Sequence, residues 1–402
     1  MSFGAVISAD GNVVAFESSA TNLVSGDTNG VVDIFVHDRV SGVTDRVSID
    51  SAGTEADAES SRPSISADGR FVAFASTATN LVSGDNNNKR DIFVRDRLLA
   101  TTDRVSVNPT GKGGDDVSDS PSISGDGLRV AFQSAATNLV TGDTNAVVDV
   151  FVRDRVSNTT SRCSVDSAGA QASGRSEFPE MSPRGGLVMF SSHASDLVSG
   201  DANARSDVFI RDIANGTTVR ISVDSSGGEG DGASGESGAI SEDEHVFAFD
   251  SLATNLVHAD TNGWCDVFVH EKCSAVASWS NYGAGLGGTL GVPAITSRQN
   301  PLLGTTITVD VGNSFGMPTI GLLVVGVQQG SFHTRFGADL LVVPLVLLPI
   351  SFSFGSDSFT GALPTDPAYC GTSVFLQAVE VDPGAPKGVS FTEGLELDLG
   401  IH

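Results

Sequence analysis

The apolar and polar positions in the first two-thirds of the chain follow one repeating pattern. Its clearest part is a polar loop followed by an apolar run, TNLVSGDTNGVVDIFVHD at residues 21–38. Four further copies begin at Thr79, Thr137, Ser195 and Thr254, so neighbouring copies lie 58 or 59 residues apart. A period this regular indicates stacked copies of one structural unit, each burying its apolar faces against its neighbours.

Each repeat predicts four short strands. The first strand ends in Asp-Gly in three repeats, for example at Asp10-Gly11, and this dipeptide favours a tight hairpin. The second strand ends in phenylalanine, the third carries another phenylalanine, and the fourth contains Thr-x-Arg in the first four repeats. We expect these phenylalanines to form packing layers between repeats; they are Phe16, Phe35, Phe74, Phe93, Phe132, Phe151, Phe190, Phe209, Phe249 and Phe268.

The strands are apolar on both faces, as in 13–16 and 33–36, which is typical of sheets packed between two neighbours. Four such strands per repeat, arranged radially, form the blade of a β-propeller. The order of strand, Asp-Gly turn, Val-Ala-Phe strand and Asp-Val-Phe-Val-Arg-Asp strand resembles the TolB-like, WD-repeat-like propeller family over about residues 1–280. The resemblance implies a fold and no particular function, since such propellers serve many roles. We therefore predict an all-β protein with a five-bladed β-propeller over residues 1–280.

The remaining residues, 281–402, lose the repeat, and charged residues become sparse while Gly, Leu, Val and Pro increase. Several apolar strands separated by Gly and Pro predict a β-sandwich domain. The region also resembles a C-terminal β-sandwich module of planctomycete-type secreted proteins. The matching stretches are Tyr282-Gly283-x-Gly285, 301–304, 320–326, 362–367 and 375–385. The chain departs from that pattern at 338–341, where a Gly-Cys pair is usual, so the resemblance implies that Cys370 lacks its usual partner.

The formal net charge of −26 argues against nucleic acid and anionic membrane surfaces as partners, and it favours cations. No apolar run reaches the roughly 20 residues of a membrane helix; the longest, 340–350, contains Pro344 and Pro349 and is predicted as strands. No signal peptide is present, so we expect the first residue to be a mature boundary of an exported protein. The four cysteines leave two alternatives open, a Cys265–Cys273 disulfide or four small buried thiols.

The polar loop carries the sharpest chemical motif, Asp-x-Asn-x-x-x-Asp. Calcium prefers six to eight oxygen ligands, which such loops can supply together with backbone carbonyls and water. No copy has the further carboxylates of an EF-hand, and the alternative is an Asx-turn in which the side chains bond their own backbone. The candidate calcium ligands are Asp27, Asn29, Asp33, Asp85, Asn87, Asp91, Asp143, Asn145, Asp149, Asp201, Asn203, Asp207, Asp260, Asn262 and Asp266.

Two further patterns concern charged residues. Asp38 precedes Arg46 by eight residues, as do its counterparts in the next three repeats, which predicts a surface ladder of ion pairs across a hairpin. Glu180 stands where the other first strands have Ser or Ala, but a lone carboxylate does not perform two-carboxylate glycoside hydrolysis. The repeats are nearly uniform, the seven histidines show no metal-ligand spacing, and no nucleophile elbow, P-loop or dinucleotide fingerprint occurs in context. We therefore expect a protein that is not an enzyme.

These patterns favour a non-enzymatic, extracellular or cell-surface structural or adhesion protein. Repeat five lacks the Thr-x-Arg strand, and an unpaired edge invites another chain. We expect calcium-stabilised homo-oligomers or filaments formed by propeller–sandwich contacts, with the apolar segments 340–343 and 345–348 contributing. The alternatives are a glycan-binding, lectin-like propeller and, third, a hydrolase that uses the propeller channel.

Overall fold

The computed structural model describes residues 1–272, 276–364 and 369–400. The chain divides into two compact units. The first comprises residues 1–224 and 228–271, and the second comprises 225–227 and 272–402. The described residues form strands, turns and loops without an α-helix, so the all-β prediction is confirmed.

Each of the five repeats in the first unit forms its own antiparallel sheet, with the strands in chain order. The first two sheets contain β1 (Ser2–Ile7), β2 (Val13–Ser18), β3 (Asp33–Asp38) and β4 (Thr44–Arg46), then β5 (Ser60–Ile65), β6 (Phe71–Ser76), β7 (Asp91–Asp96) and β8 (Thr101–Arg104). The third and fourth contain β9 (Ser118–Ile123), β10 (Arg129–Ser134), β11 (Asp149–Asp154) and β12 (Thr159–Arg162), then β13 (Ser176–Met181), β14 (Leu187–Ser192), β15 (Asp207–Asp212) and β16 (Thr217–Arg220). The fifth contains β17 (Ser234–Ile240), β18 (Val246–Ser251) and β19 (Asp266–Glu271).

The hairpin between β1 and β2 turns at the predicted Asp-Gly dipeptide. Gly11 has a φ of 72°, a backbone conformation that glycine adopts without a steric penalty. Asp10 fixes the turn by accepting hydrogen bonds from the Ser8 hydroxyl and the Asn12 amide at 2.6 Å and 2.9 Å. The first strand of each repeat also contains a β-bulge, which shifts its register against the second strand.

The recurring phenylalanines pair directly across the second and third strands of each sheet. Phe74 and Phe93 lie opposite each other, with ring centroids 5.9 Å apart, and both are fully buried. The other four pairs have centroid distances of 5.9 Å to 6.1 Å. The predicted packing between repeats is confirmed for the pairs of repeats two to five, which lie in clusters shared by neighbouring sheets. Phe16 and Phe35 pack against each other but lie in none of these clusters, and Phe16 is only half-buried.

Each pair of neighbouring sheets shares a hydrophobic cluster. Between sheets one and two, Ile34 and Val36 of β3 pack with Val72 and Phe74 of β6 and with Phe93 of β7. Equivalent positions form the clusters at the next three junctions. Each repeat therefore buries its apolar faces against its neighbours rather than within itself.

The fifth sheet has no fourth strand among the described residues. The next described strand along the chain, β20 (Ser278–Tyr282), belongs to the second unit and pairs with β30 (Gly394–Asp398).

The second unit contains a six-stranded, a three-stranded and a two-stranded sheet. In addition to β20 and β30, the six-stranded sheet contains β23 (Thr319–Gly326), β26 (Val346–Phe352), β28 (Ser373–Val381) and β29 (Val389–Phe391). The smaller sheets contain β21 (Ile295–Ser297), β22 (Thr306–Gly312) and β27 (Ser356–Ala362), and β24 (Gln329–His333) and β25 (Asp339–Val342). Side chains of β21 and β22, including Val309 and Val311, share one core with Leu323, Phe352 and Leu395 of the six-stranded sheet.

The cysteines fit neither alternative in full. Cys265 is free and exposed, so the predicted Cys265–Cys273 disulfide is wrong, and Cys273 itself lies outside the described residues. The thiol of Cys265 donates to Asp250 Oδ2 at 3.6 Å. Cys163 is free and buried, as the thiol alternative expected, whereas Cys370 is disulfide-bonded, although the chain has no cysteine at 338–341 where the resemblance places its usual partner.

Among the described residues, no helix is both long and apolar enough to cross a membrane.

Candidate functional site

The recurring Asp-x-Asn-x-x-x-Asp motif joins the polar loop to the third strand. Its second aspartate is the first residue of that strand and is fully buried in the first four repeats. In repeat two this residue is Asp91, which lies opposite Ser76 at the end of β6. The hairpin register therefore places the carboxylate where the loop leaves the sheet.

The second aspartate has the same partners in each of the first four repeats. In repeat two, Asp91 Oδ1 accepts from the Ser106 hydroxyl at 2.5 Å, and Oδ2 accepts from the Asn87 side-chain amide at 2.8 Å. The same amide donates to the carbonyl of Gly114 at 3.0 Å. These bonds connect the loop, the third strand and the connector that follows the fourth strand.

One arginine lies between the two aspartates of the motif in each of these repeats, and we call the three side chains the Asp–Arg–Asp cluster. In repeat two, Nη1 of Arg104 lies 2.9 Å from Asp85 Oδ1 and 3.2 Å from Asp91 Oδ2. The arginine side chain is only 8% exposed. The equivalent clusters are Asp27–Arg46–Asp33, Asp143–Arg162–Asp149 and Asp201–Arg220–Asp207.

A third carboxylate joins the cluster in repeats one and four. Glu55 Oε2 lies 2.8 Å from Nη1 of Arg46, and Glu229 Oε1 lies 2.6 Å from Nη1 of Arg220. Repeats two and three have Gly113 and Gln171 at that position. One arginine therefore faces two carboxylates in the middle repeats and three in the outer two.

Burial dominates the electrostatics of these clusters. It raises the pKa of Asp85 and Asp91, although Arg104 opposes the rise in both cases. The pKa of Asp201 rises to about 6, because of burial and then the nearby Asp207 carboxylate. Both carboxylate oxygens of Asp85 are buried without a hydrogen-bond partner among the described residues. The arginine therefore offsets the charge of Asp85, and it donates a hydrogen bond to Asp91 at 3.2 Å.

The asparagine of the motif forms an Asx-turn. Asn87 Oδ1 accepts from the backbone amide of Lys89 at 2.9 Å, and the other four repeats have the same bond at 2.7 Å to 3.4 Å. Both ends of the amide are therefore already in use, because its nitrogen donates to the second aspartate.

These contacts decide how well the motif fits calcium. In repeats one to four the asparagine oxygen is occupied, the second aspartate has three donors nearby, and a guanidinium lies between the carboxylates. Calcium needs several free oxygen ligands, so these four copies fit a guanidinium better than a calcium ion. Asp201, Asp207 and Glu229 have oxygens within 4.8 Å of one another, but Arg220 lies among them.

Repeat five keeps the motif without a basic side chain at the arginine position in the part of the chain that the structure describes. Asn262 donates to Asp266 at 2.7 Å and accepts from the Trp264 amide at 2.8 Å. Asp260 and Asp266 are partly exposed. The asparagine of repeat five is thus occupied as in the other copies, and this copy differs from them in lacking the guanidinium between its carboxylates.

The predicted ladder between Asp38 and Arg46 and their counterparts is wrong. The strand register pairs Arg46 with Phe35, and the guanidinium turns toward the polar loop. Asp38 instead accepts from the backbone amides of the turn after β3, at 2.9 Å from Val40 and Ser41. Its counterpart Asp96 does form an ion pair, but with Arg70 at 2.7 Å.

Glu180 lies on the first strand of repeat four, and Ser122 on the first strand of repeat three donates to it at 3.3 Å. Burial raises its pKa to about 7. The grouped acidic side chains among the described residues do not include it. The raised pKa of Glu180 is therefore caused by burial and not by a second carboxylate beside it.

Comparison with known proteins adds little to this geometry. No family model and no curated protein matches the chain. Among solved structures, a protein from Agrobacterium tumefaciens assigned as TolB is similar, at 12% sequence identity and a TM-score of 0.39, covering 90% of this chain and 91% of that one. The repeat architecture described above therefore rests on the sheets themselves.

Sequence reasoning found the aspartates and asparagines of the cluster but assigned the arginine to the wrong partner. It missed the serine that bonds the second aspartate and the third carboxylates Glu55 and Glu229. A signal was present, because an arginine and a serine follow the second aspartate at fixed distances in four repeats. The arginine and this serine are both missing from repeat five.

Proposed function

We propose that this chain is a non-enzymatic structural or adhesion protein of the cell surface or extracellular space, and that it self-associates. The observation that carries the proposal is large apolar side chains left exposed in both units. In the first unit, Val267 and Val269 of β19 are 76% and 62% exposed. Soluble monomers seldom leave contiguous apolar strands in water, and such patches often mark contacts with another chain.

The second unit supports the same proposal. Ile320, Leu322 and Leu347, which lie on the adjacent strands β23 and β26, are 66%, 40% and 54% exposed. The adjoining Leu345 is 70% exposed. Leu345 and Leu347 belong to 345–348, one of the two segments from which the sequence predicts a propeller–sandwich contact, and this segment stays a candidate contact within the proposal. In the other segment, 340–343, Leu341 and Val342 are buried, so it offers less apolar surface than predicted.

The repeated motif supports a structural rather than a ligand-binding role. In four repeats the asparagine and the second aspartate bond groups of their own repeat, and the arginine pairs with both aspartates, so the clusters tie each loop to its own sheet. Light scattering after size-exclusion chromatography, from micromolar to high concentration, tests self-association directly. A monomer of 41.3 kDa at every concentration contradicts the proposal.

A second candidate function is glycan binding. Trp264 is 76% exposed in the loop of repeat five, next to the carboxylates that have no arginine. An exposed aromatic ring beside carboxylates offers both a stacking face and hydrogen-bond acceptors. A glycan array with the wild type and Trp264→Ala tests this candidate: binding lost in the variant supports it, and no bound glycan in the wild type removes it.

A further inference from the structure

The row of repeats has two unmatched ends. Within the described strands of the first unit, β1 contacts β2 of its own sheet and β5 of the second sheet, and β17 contacts β18 of its own sheet and β13, β14 and β15 of the fourth. No extended contact joins β1 and β17 within the part of the chain that the structure describes. We call the free face of sheet one, with Phe3, Ile7, Val14, Phe16 and Leu23, the leading face. We call the free face of sheet five, with Val267 and Val269, the trailing face.

The trailing face consists of positions that are buried in every other repeat. The residues equivalent to Val267 are at most 1% exposed, and those equivalent to Val269 at most 4%. Those residues are Ile34, Ile92, Val150 and Val208 for the first position, and Val36, Val94, Val152 and Ile210 for the second.

The leading face consists of positions that, in later repeats, pack against the preceding sheet. Ile7 is 56% exposed, whereas its equivalents Ile123 and Met181 are 6% and 3% exposed, and the remaining equivalents, Ile65 and Ile240, are partly buried. Val14 and Phe16 are only half-buried, whereas the equivalent Val72 and Phe74 are fully buried against sheet one.

A row of backbone hydrogen bonds also stops at both ends. The amide of Ala9 donates to the carbonyl of Ala67, the amide of Ala67 to Gly125, and the amide of Gly125 to Pro183, at 2.7 Å to 3.0 Å. Each donor lies one repeat before its acceptor. The row breaks after Pro183, which has no N–H group.

The open groups at the ends are complementary. Within the described residues, no amide donates to the carbonyl of Ala9 on sheet one. The amide of Glu242, which holds the equivalent place in repeat five, donates to no described carbonyl. The trailing face thus offers a free amide donor and the leading face a free carbonyl acceptor. At the internal junctions, too, the earlier repeat donates and the later repeat accepts.

We propose that a second copy of this chain docks its leading face onto the trailing face, so that repeat one of one molecule continues the row that ends at repeat five of the other. The inference rests on the proposed self-association and assigns its surface. It favours this contact over the apolar strands β23 and β26, because only the end faces reproduce a junction that the chain already forms four times. Such a contact is head-to-tail, so it propagates into a filament unless rotation closes it into a ring.

The contacts between neighbouring sheets also suggest a pair of residues that can be cross-linked across the proposed interface. At the internal junction between sheets two and three, Arg90 Nη1 lies 3.3 Å from Asp119 Oδ2. The equivalent positions on the trailing and leading faces are Cys265 and Phe3. Cys265 is free and exposed, so a thiol introduced as Phe3→Cys should lie within reach of Cys265 of the neighbouring molecule.

Two experiments on the full chain test the proposal. In sedimentation velocity, Val267→Arg should weaken self-association at least about a hundredfold, because docking would bury an unpaired charge. Val156→Arg, on a 70% exposed residue in the turn between β11 and β12, should leave it unchanged. Because both side chains are exposed, both variants should keep the wild-type circular dichroism and melting temperature. In the second experiment, a short bismaleimide should link Phe3→Cys into dimers and longer chains, and should not link Val156→Cys in this way.

The outcomes separate this inference from the proposed function. If the wild type associates, Val267→Arg has no effect and Leu347→Arg dissociates it, the end faces are wrong while self-association stands. A cross-link confined to single molecules also overturns the inference, because the row then closes within one chain. A wild type that is monomeric at every concentration overturns both.

Discussion

Replacing Arg104 with methionine tests whether the Asp–Arg–Asp cluster is a structural ion pair. Methionine keeps much of the side-chain volume and removes the charge that lies 2.9 Å from Asp85 and 3.2 Å from Asp91. The two carboxylates are 2% and 0% exposed, so they would remain buried without a compensating cation. Removing one partner of a buried ion pair typically costs about 3–5 kcal/mol. For a unit of this size, that corresponds to a fall in melting temperature of roughly 6–20 °C.

The control is Arg175→Met. Arg175 is 57% exposed and pairs with Glu177 at 3.0 Å, and a surface pair of this kind contributes about 0–1 kcal/mol. Because repeat arrays can unfold in parts, hydrogen exchange of β7 and β8 should accompany the thermal melts. We expect exchange to increase most in those strands for Arg104→Met and hardly to change for Arg175→Met.

The pH dependence gives a second readout of the same variant. Burial already raises the pKa of Asp85 and Asp91, and loss of the arginine should raise both further. Between the unfolded and folded pKa values the folded state then binds more protons, so the free energy of unfolding rises as pH falls. The cost of Arg104→Met should therefore be largest near pH 8 and smaller near pH 5. Equal melting temperatures for Arg104→Met and Arg175→Met at both pH values would refute the structural ion pair.

The remaining predictions concern metal and protonation. If calcium binds repeat five, EDTA should lower the melting temperature and added calcium should restore it. Asp260→Ala should abolish this response to EDTA, whereas Asp85→Ala should keep it. Loss of the response in Asp85→Ala alone would place the ion in repeat two instead. Burial raises the pKa of Glu180 to about 7, so its protonated carboxyl stabilises the fold below the unfolded pKa. As pH rises through 7, the free energy of unfolding should fall by up to about 3 kcal/mol. Glu180→Gln should remove this pH dependence. Urea unfolding at pH 5 and pH 8.5 measures this, with the exposed Glu59→Gln as control, and parallel pH profiles for wild type and Glu180→Gln would disprove it.

Much of the fold could be predicted from the sequence because the repeat supplies the same local signals five times. The Asp-Gly turn at Asp10-Gly11, the paired phenylalanines such as Phe74 and Phe93, and the two-sided apolar strands each specify one step of the sheet. Because these signals recur at the same positions in each repeat, the boundaries of the sheets can be predicted from the sequence. The second unit has no repeat, and its pairings, such as β20 with β30, join residues more than a hundred positions apart. Local pattern does not encode such partners.

The site was only half predictable for a related reason. Asp85, Asn87 and Asp91 are close in sequence, so their proximity follows from the motif. Arg104 arrives from the next strand, and its partner depends on which way the side chain turns once the hairpin register is fixed. Sequence spacing alone placed it opposite Asp96, whereas burial of the loop carboxylates makes a cation between them the favourable arrangement.

The same contrast explains why repeat five differs from the others. In repeats one to four the fourth strand delivers the arginine that neutralises the loop, and the next sheet covers Ile34, Ile92, Val150 and Val208. Repeat five has neither a described fourth strand nor a following sheet, and it has lost both the arginine and the burial of Val267. A repeat that had merely drifted in sequence would be expected to lose its apolar positions once they were exposed to water. Val267 and Val269 nevertheless keep the apolar character of their buried equivalents, which is the expected result for a face that another chain covers.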